Sequence, residues 1–105
     1  MENEVSLRQA IELLLRDKSR VIFFVDDEAR VYASFSEGDA LRALLAGLDL
    51  EMGVQAALHA APFTLQNSAT EDEIRMHFRE LHHTAIPIVS SDGKLEKVIA
   101  YDELL

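Results

Sequence analysis

A repeat constrains this chain more than any other feature. The same structural punctuation occurs twice at a constant offset of 64 residues, beginning with Ser6 and Thr70. Few identities accompany it, so the order of caps, apolar runs and turns defines the repeat. Ser6 followed by Gln9 is a capping box, in which the hydroxyl accepts a backbone N–H at the helix start and the amide side chain returns the bond. Beyond it Leu7, Ala10, Ile11, Leu14 and Leu15 fall on one helical stripe and predict a helix from about Ser6 to Lys18. Thr70 followed by Glu73 is the same device, with Ile74, Phe78 and Leu81 as a thinner stripe.

Each helix is followed by a β-rich run, Val21-Ile22-Phe23-Phe24-Val25 and Ala85-Ile86-Pro87-Ile88-Val89, which reads as a short buried strand. The polar segments Asp26-Asp27-Glu28-Ala29 and Ser90-Ser91-Asp92-Gly93 then turn the chain. Val31, Ala33 and Phe35 alternate as Leu95, Lys97 and Ile99 do, so two hairpins are expected. After the first comes a helix over Glu37 to Ala46, with Leu41, Leu44 and Leu45 on one face and Gly47 at the C-terminal cap. Tyr101-Asp102-Glu103-Leu104-Leu105 would begin its counterpart. Extended pieces near Glu4-Val5 and at Phe63-Thr64-Leu65 complete a β-α-β-β-α unit written twice, an α+β fold. The segment from Leu48 to Pro62 joins the copies, with a helix predicted around Val54 to Ala60.

At 105 residues and 49% hydrophobic content, the chain suffices for one domain with a core of its own. Nineteen acidic against 10 basic residues give a formal charge of −9, a field that repels phosphate backbones and anionic headgroups. Nucleic acid and membrane surfaces are therefore not the expected partners. No apolar run approaches the ~20 residues of a membrane span, and Met1 to Gln9 lack the pattern of a secretory signal. A soluble, cytoplasmic protein is expected. The absence of cysteine excludes disulfides, thiolate nucleophiles and thiolate metal sites. His77, His82 and His83 stand five and six residues apart, which does not bring ligands onto one helical face, so no metal site is predicted. Asp26, Asp27 and Glu28 lack the alternation and central glycine of a calcium loop and read as a solvated turn. No P-loop, nucleophile elbow or paired-histidine zinc motif occurs, so no catalytic activity is expected.

The doubled unit, and within it Phe35-Ser36-Glu37-Gly38-Asp39-Ala40-Leu41-Arg42-Ala43-Leu44-Leu45-Ala46-Gly47-Leu48, resembles the CBS domain family. That stretch looks like the TDGDIRRxLLxGL segment of CBS pairs that precede sugar-nucleotidyltransferase (mannose-1-phosphate guanylyltransferase-like) domains; a similar stretch occurs in CBS pairs of sugar-phosphate isomerases. The resemblance implies a Bateman module over 1–105, its two motifs related by a pseudo-twofold axis. Motif one would span about 3–47, the linker 48–62, and motif two 63–105. The position of Met1 and the ending within a predicted helix point to an N-terminal fragment, with a catalytic domain of the parent chain following it. The resemblance further implies a homodimer and a cleft for an adenine nucleotide (AMP, ADP or ATP), with no required cofactor.

Carried over residue by residue, it assigns Ser36 the hydroxyl near the ribose phosphate, Asp39 the acceptor for both ribose hydroxyls, and Arg20 a forked phosphate donor. Ile86 and Pro87, on the second copy's strand, complete the ligand-binding set, and His82 or His83 is expected either near the nucleotide phosphates or merely at the surface. The chain departs from the family pattern at Ala33 (for Gly) and Phe23 (for Pro), and in the second copy at Lys97, Ala100, Glu103 and Thr84. The first copy is therefore the expected ligand half. Each residue also has a plainer role: Ser36 as an ordinary N-cap, Asp39 as an acid favoured in a helix's first turn, Arg20 as a solvated side chain. Two functions follow, a nucleotide-sensing regulatory module, and a structural dimerisation module whose cleft is degenerate and ligand-free.

Overall fold

The computed structural model describes residues 5–81 and 83–101. The elements run α1 (Leu7–Arg16), β1 (Val21–Val25), β2 (Val31–Ser36), α2 (Glu37–Leu45), a single 3-10 turn (Val54–Ala57), β3 (His59–Ala60), β4 (Leu65–Gln66), α3 (Glu71–Leu81), β5 (Ala85–Val89) and β6 (Leu95–Ala100). They build two three-stranded sheets, ordered β1-β2-β3 and β4-β5-β6; β4 runs parallel to β5, and the other pairs are antiparallel.

The predicted caps form. Ser6 Oγ accepts the Gln9 N–H at 3.1 Å while Gln9 Oε1 accepts the Ser6 N–H at 3.0 Å. Thr70 Oγ1 and Glu73 exchange the same bonds at 3.1 and 2.9 Å. Both satisfy N–H groups that a helix start leaves unpaired. Of the α1 stripe, Leu7, Ala10 and Leu14 are buried, whereas Leu15 is 65% exposed. A residue adjacent to Leu14 is rotated about 100° round the helix, too far to share its contact.

The repeat is visible in the backbone. Val21 pairs with Ser36 as Ala85 pairs with Ala100, and each hairpin shifts register at the equivalent step, Phe24/Val25 and Ile88/Val89. The turns match as well: the Ala29 N–H bonds to Asp26 O and the Gly93 N–H to Ser90 O, at 3.0 and 2.9 Å. Contacts join equivalent regions of the copies. Arg30 and Lys94, equivalent under the repeat, form an isolated bridge, and Thr84 Oγ1 donates to Ser19 O at 2.8 Å. A contact between a residue and its own repeat counterpart lies on or beside a twofold axis, so the pseudo-twofold arrangement is built into the chain.

Each copy keeps its own core. The first gathers Leu7, Ala10, Leu14, Phe35, Ala40, Ala43 and Val54, and the second Ile74, Phe78, Ile86 and Ile88. Helix α2 buries its alanines, leaving Leu41 and Leu45 at 60% and 88% exposure. Small side chains there let the helix lie close to α1 and the 3-10 turn.

The linker corrects one expectation. In place of a helix over Val54 to Ala60, the 3-10 turn stops at Ala57 and His59–Ala60 adds a strand to β2, pairing with Ser34 and Ala33. The extended piece expected at Phe63 to Leu65 lies slightly later, at Leu65–Gln66. Glu4, His82 and the segment from Asp102 to Leu105, including Glu103 and the predicted final helix, lie outside the described residues. No described helix is long and apolar enough to cross a membrane.

Candidate functional site

A cleft of about 540 Å³ opens where the start of β1 and the β2–α2 junction face the linker and the start of β5. Arg20, Ser36 and Asp39 all line it, so three of the five residues predicted from sequence come together. The other two do not. Ile86 is fully buried in the second core, and Pro87 is fully buried opposite Val98. Thr84 and Ala85, just ahead of them, supply the cleft wall instead.

Arg20 is placed by a tight turn. Asp17 O accepts the Arg20 N–H at 3.2 Å, and Asp17 Oδ2 accepts the Ser19 hydroxyl at 2.6 Å. The chain passes through Arg20 in the left-handed region, φ 59°, a conformation that costs a non-glycine residue roughly 1–2 kcal/mol. Its guanidinium stands 3.8 Å from Glu37 Oε2 at the cleft edge, a loose ion pair between exposed groups.

Ser36 caps α2 and Asp39 completes the box. Asp39 Oδ2 accepts the Ser36 N–H at 2.9 Å and the Ser36 hydroxyl at 3.0 Å, while Oδ1 accepts Arg42 Nη2 at 2.6 Å. The plainer role of Asp39 is thus filled, since an acid in the first turn serves both the N–H groups and the helix dipole. Only 8% of Asp39 is exposed, against 72% of the Arg42 side chain. Arg42 lines the cleft too. The sequence reading missed it, although its i, i+3 spacing from Asp39 announces the pair.

Part of the lining is aromatic, from Phe63 and His83. Phe63 stacks on His83 with centroids 4.9 Å apart and planes at 10°, and lies 4.7 Å from His77, tilted by 40°. Burial, and secondarily the nearby His77, hold His83 below the usual histidine pKa. Phe63 read only as part of a strand in the sequence, and no local pattern signals its stack with a residue twenty positions on. Among the described residues no group of three acidic or histidine side chains is placed to hold a metal ion.

A cleft walled by two arginines, a capped carboxylate and a flat aromatic face can bind a ligand that is part planar, part polyol and part anion. No protein-family model matches the sequence, and no curated protein matches it. Solved structures do match. A CBS domain protein from Pyrobaculum aerophilum, complexed with AMP, shares 21% identity over 93% of this chain and 76% of its own, with a TM-score of 0.76. CBSX2 in complex with AMP matches at 20% identity over 96% and 79%, TM-score 0.77. The CBS domain pair of MJ0100, in complex with 5′-methylthioadenosine and S-adenosyl-L-methionine, matches at 12% over 95% and 78%, TM-score 0.76. The fold of this chain is that of a CBS-domain pair, two α+β motifs around a pseudo-twofold axis.

Proposed function

We propose that this chain is a non-catalytic regulatory module that binds an adenine nucleotide in the cleft and transmits its occupancy to an attached enzyme domain. The observation that carries this reading is the convergence of Arg20, Ser36 and Asp39 on one cleft facing the Phe63–His83 stack. The stack gives a purine a flat face, Asp39 is the acceptor for a ribose, and Arg20 addresses the phosphate, joined by the Ser36 hydroxyl once it turns its proton from Asp39. The solved CBS proteins of the same fold that hold AMP or S-adenosyl-L-methionine support this ligand class. Control requires that the ligand bind one arrangement of module and enzyme better than another. The partner we propose is a sugar-nucleotidyltransferase-like domain following this module in the parent chain, and the module itself acts as a cytoplasmic homodimer.

A panel of adenine and guanine nucleotides in a thermal-shift assay tests the reading. A ligand at 100 times its Kd stabilises the fold by about 2.7 kcal/mol. AMP, ADP or ATP should raise the melting temperature, and Asp39→Asn should weaken calorimetric binding by roughly 1.5–3 kcal/mol while keeping most of the helix cap. A second reading, a structural module with an empty cleft, is favoured by one observation: both oxygens of Asp39 are already engaged by Ser36 and Arg42. A panel in which no nucleotide shifts the melt selects it.

A further inference from the structure

The occupied carboxylate of Asp39 assigns a task to Arg42, and the assignment rests on the nucleotide reading of the cleft. Asp39 Oδ2 is filled by two donors from Ser36, and Oδ1, the oxygen left for a ligand, holds Arg42 Nη2 at 2.6 Å. A vicinal diol presents two donors and must displace Arg42 to place both on this carboxylate. Arg42 is free to move: its side chain is largely exposed, and Asp39 is the acid it pairs with. Its guanidinium lies across Gly38, where a Cβ would stand 3.5 Å from Nη1 and 3.8 Å from Ser36 Oγ. The displaced cation therefore starts beside the hydroxyl assigned to the phosphate.

We propose that Arg42 is an exchangeable latch that makes the cleft selective for ligands carrying a ribose diol and a phosphate together. In the empty cleft it neutralises the nearly buried Asp39. A phosphorylated ribonucleoside takes Asp39 with the two donors of its diol and offers Arg42 a phosphate in return, so the carboxylate stays hydrogen-bonded and the guanidinium stays ion-paired. A nucleoside evicts Arg42 and gives it nothing. A phosphate without the diol draws Arg42 away and leaves a shielded carboxylate unpaired, which is unfavourable.

Calorimetry with AMP and adenosine on the wild-type chain and Arg42→Ala tests this. Arg42 is solvated but pairs with the nearly buried Asp39, so its loss should lower the melting temperature while leaving a cooperative transition, and a thermal melt checks that the variant is folded before binding is compared. Arg42→Ala should weaken AMP binding about tenfold, one charge-assisted hydrogen bond's worth, and tighten adenosine binding severalfold because Asp39 Oδ1 is then open. Opposite signs are the signature, since a merely structural defect weakens both ligands. If both affinities fall together, or neither changes, the latch is overturned while the nucleotide reading stands. A wild-type chain that binds neither AMP nor adenosine overturns the nucleotide reading and the latch with it.

Discussion

His83 lines the cleft beside Phe63, and its depressed pKa makes it a reporter on the folded state. Burial and the nearby His77 disfavour its charged form, so below about pH 6.5 the unfolded chain binds more protons here than the folded one. The stability contribution is complete above that pH and is lost as pH falls towards the lower folded value. Asp26, Asp92 and Glu73 are also lowered, by hydrogen bonds to backbone or hydroxyl donors, but from ordinary values of 3.8 to 4.5, so they act at more acidic pH. Melting temperatures should therefore drop between about pH 7 and 5, and His83→Phe, which keeps an aromatic ring on Phe63, should flatten that slope. A variant with the full wild-type slope would remove His83 from the account. At this scale the resemblance to the CBS family named Arg20, Ser36 and Asp39, because the motif that carries it is a short run of adjacent residues. It did not reveal Phe63, whose partner is set by how two distant segments pack.

The two hairpins show how far local chemistry carries an element. Asp26 Oδ1 accepts the Glu28 and Arg30 N–H groups at 2.9 and 3.0 Å, and Ser90 Oγ accepts the Lys94 N–H at 3.2 Å, so equivalent side chains close equivalent turns. Each turn needs a left-handed residue, supplied by Gly93 at φ 87° and by Ala29 at φ 66°. Alanine is disfavoured there by roughly 1–2 kcal/mol, offset in part by its smaller unfolded-state entropy. Ala29→Gly should accordingly stabilise the protein by about 0.5–1 kcal/mol, read as a higher urea midpoint with an unchanged slope. A lower midpoint would show that the turn does not prefer glycine. The linker behaves otherwise. Its run from Val54 to Ala60 is compatible with helix or strand, and the β2 edge at Ala33 and Ser34 decides by offering backbone partners to His59 and Ala60.

Across the whole molecule, the α2 leucines stay outside both cores. Leu41, Leu44 and Leu45 present an exposed apolar face, and larger contiguous patches of this kind mark contact surfaces. Our proposed homodimer uses this face. Light scattering at tens of micromolar, a working range for interfaces of standard size, should find a dimer, and Leu41→Glu with Leu45→Glu should yield a folded monomer. A wild-type monomer would refute it. What the sequence determined by itself is the repeated helix-strand-strand order, the capped helices and the matched hairpins, because caps, turns and apolar periodicity act over a few residues. Only the tertiary structure decided that Ile86 and Pro87 are fully buried, that the linker adds a strand, and that Phe63 and His83 stack in the cleft that Arg20 and Asp39 line. Those outcomes depend on which surfaces meet around the twofold axis. Contacts between residues far apart in the chain leave no local pattern to read.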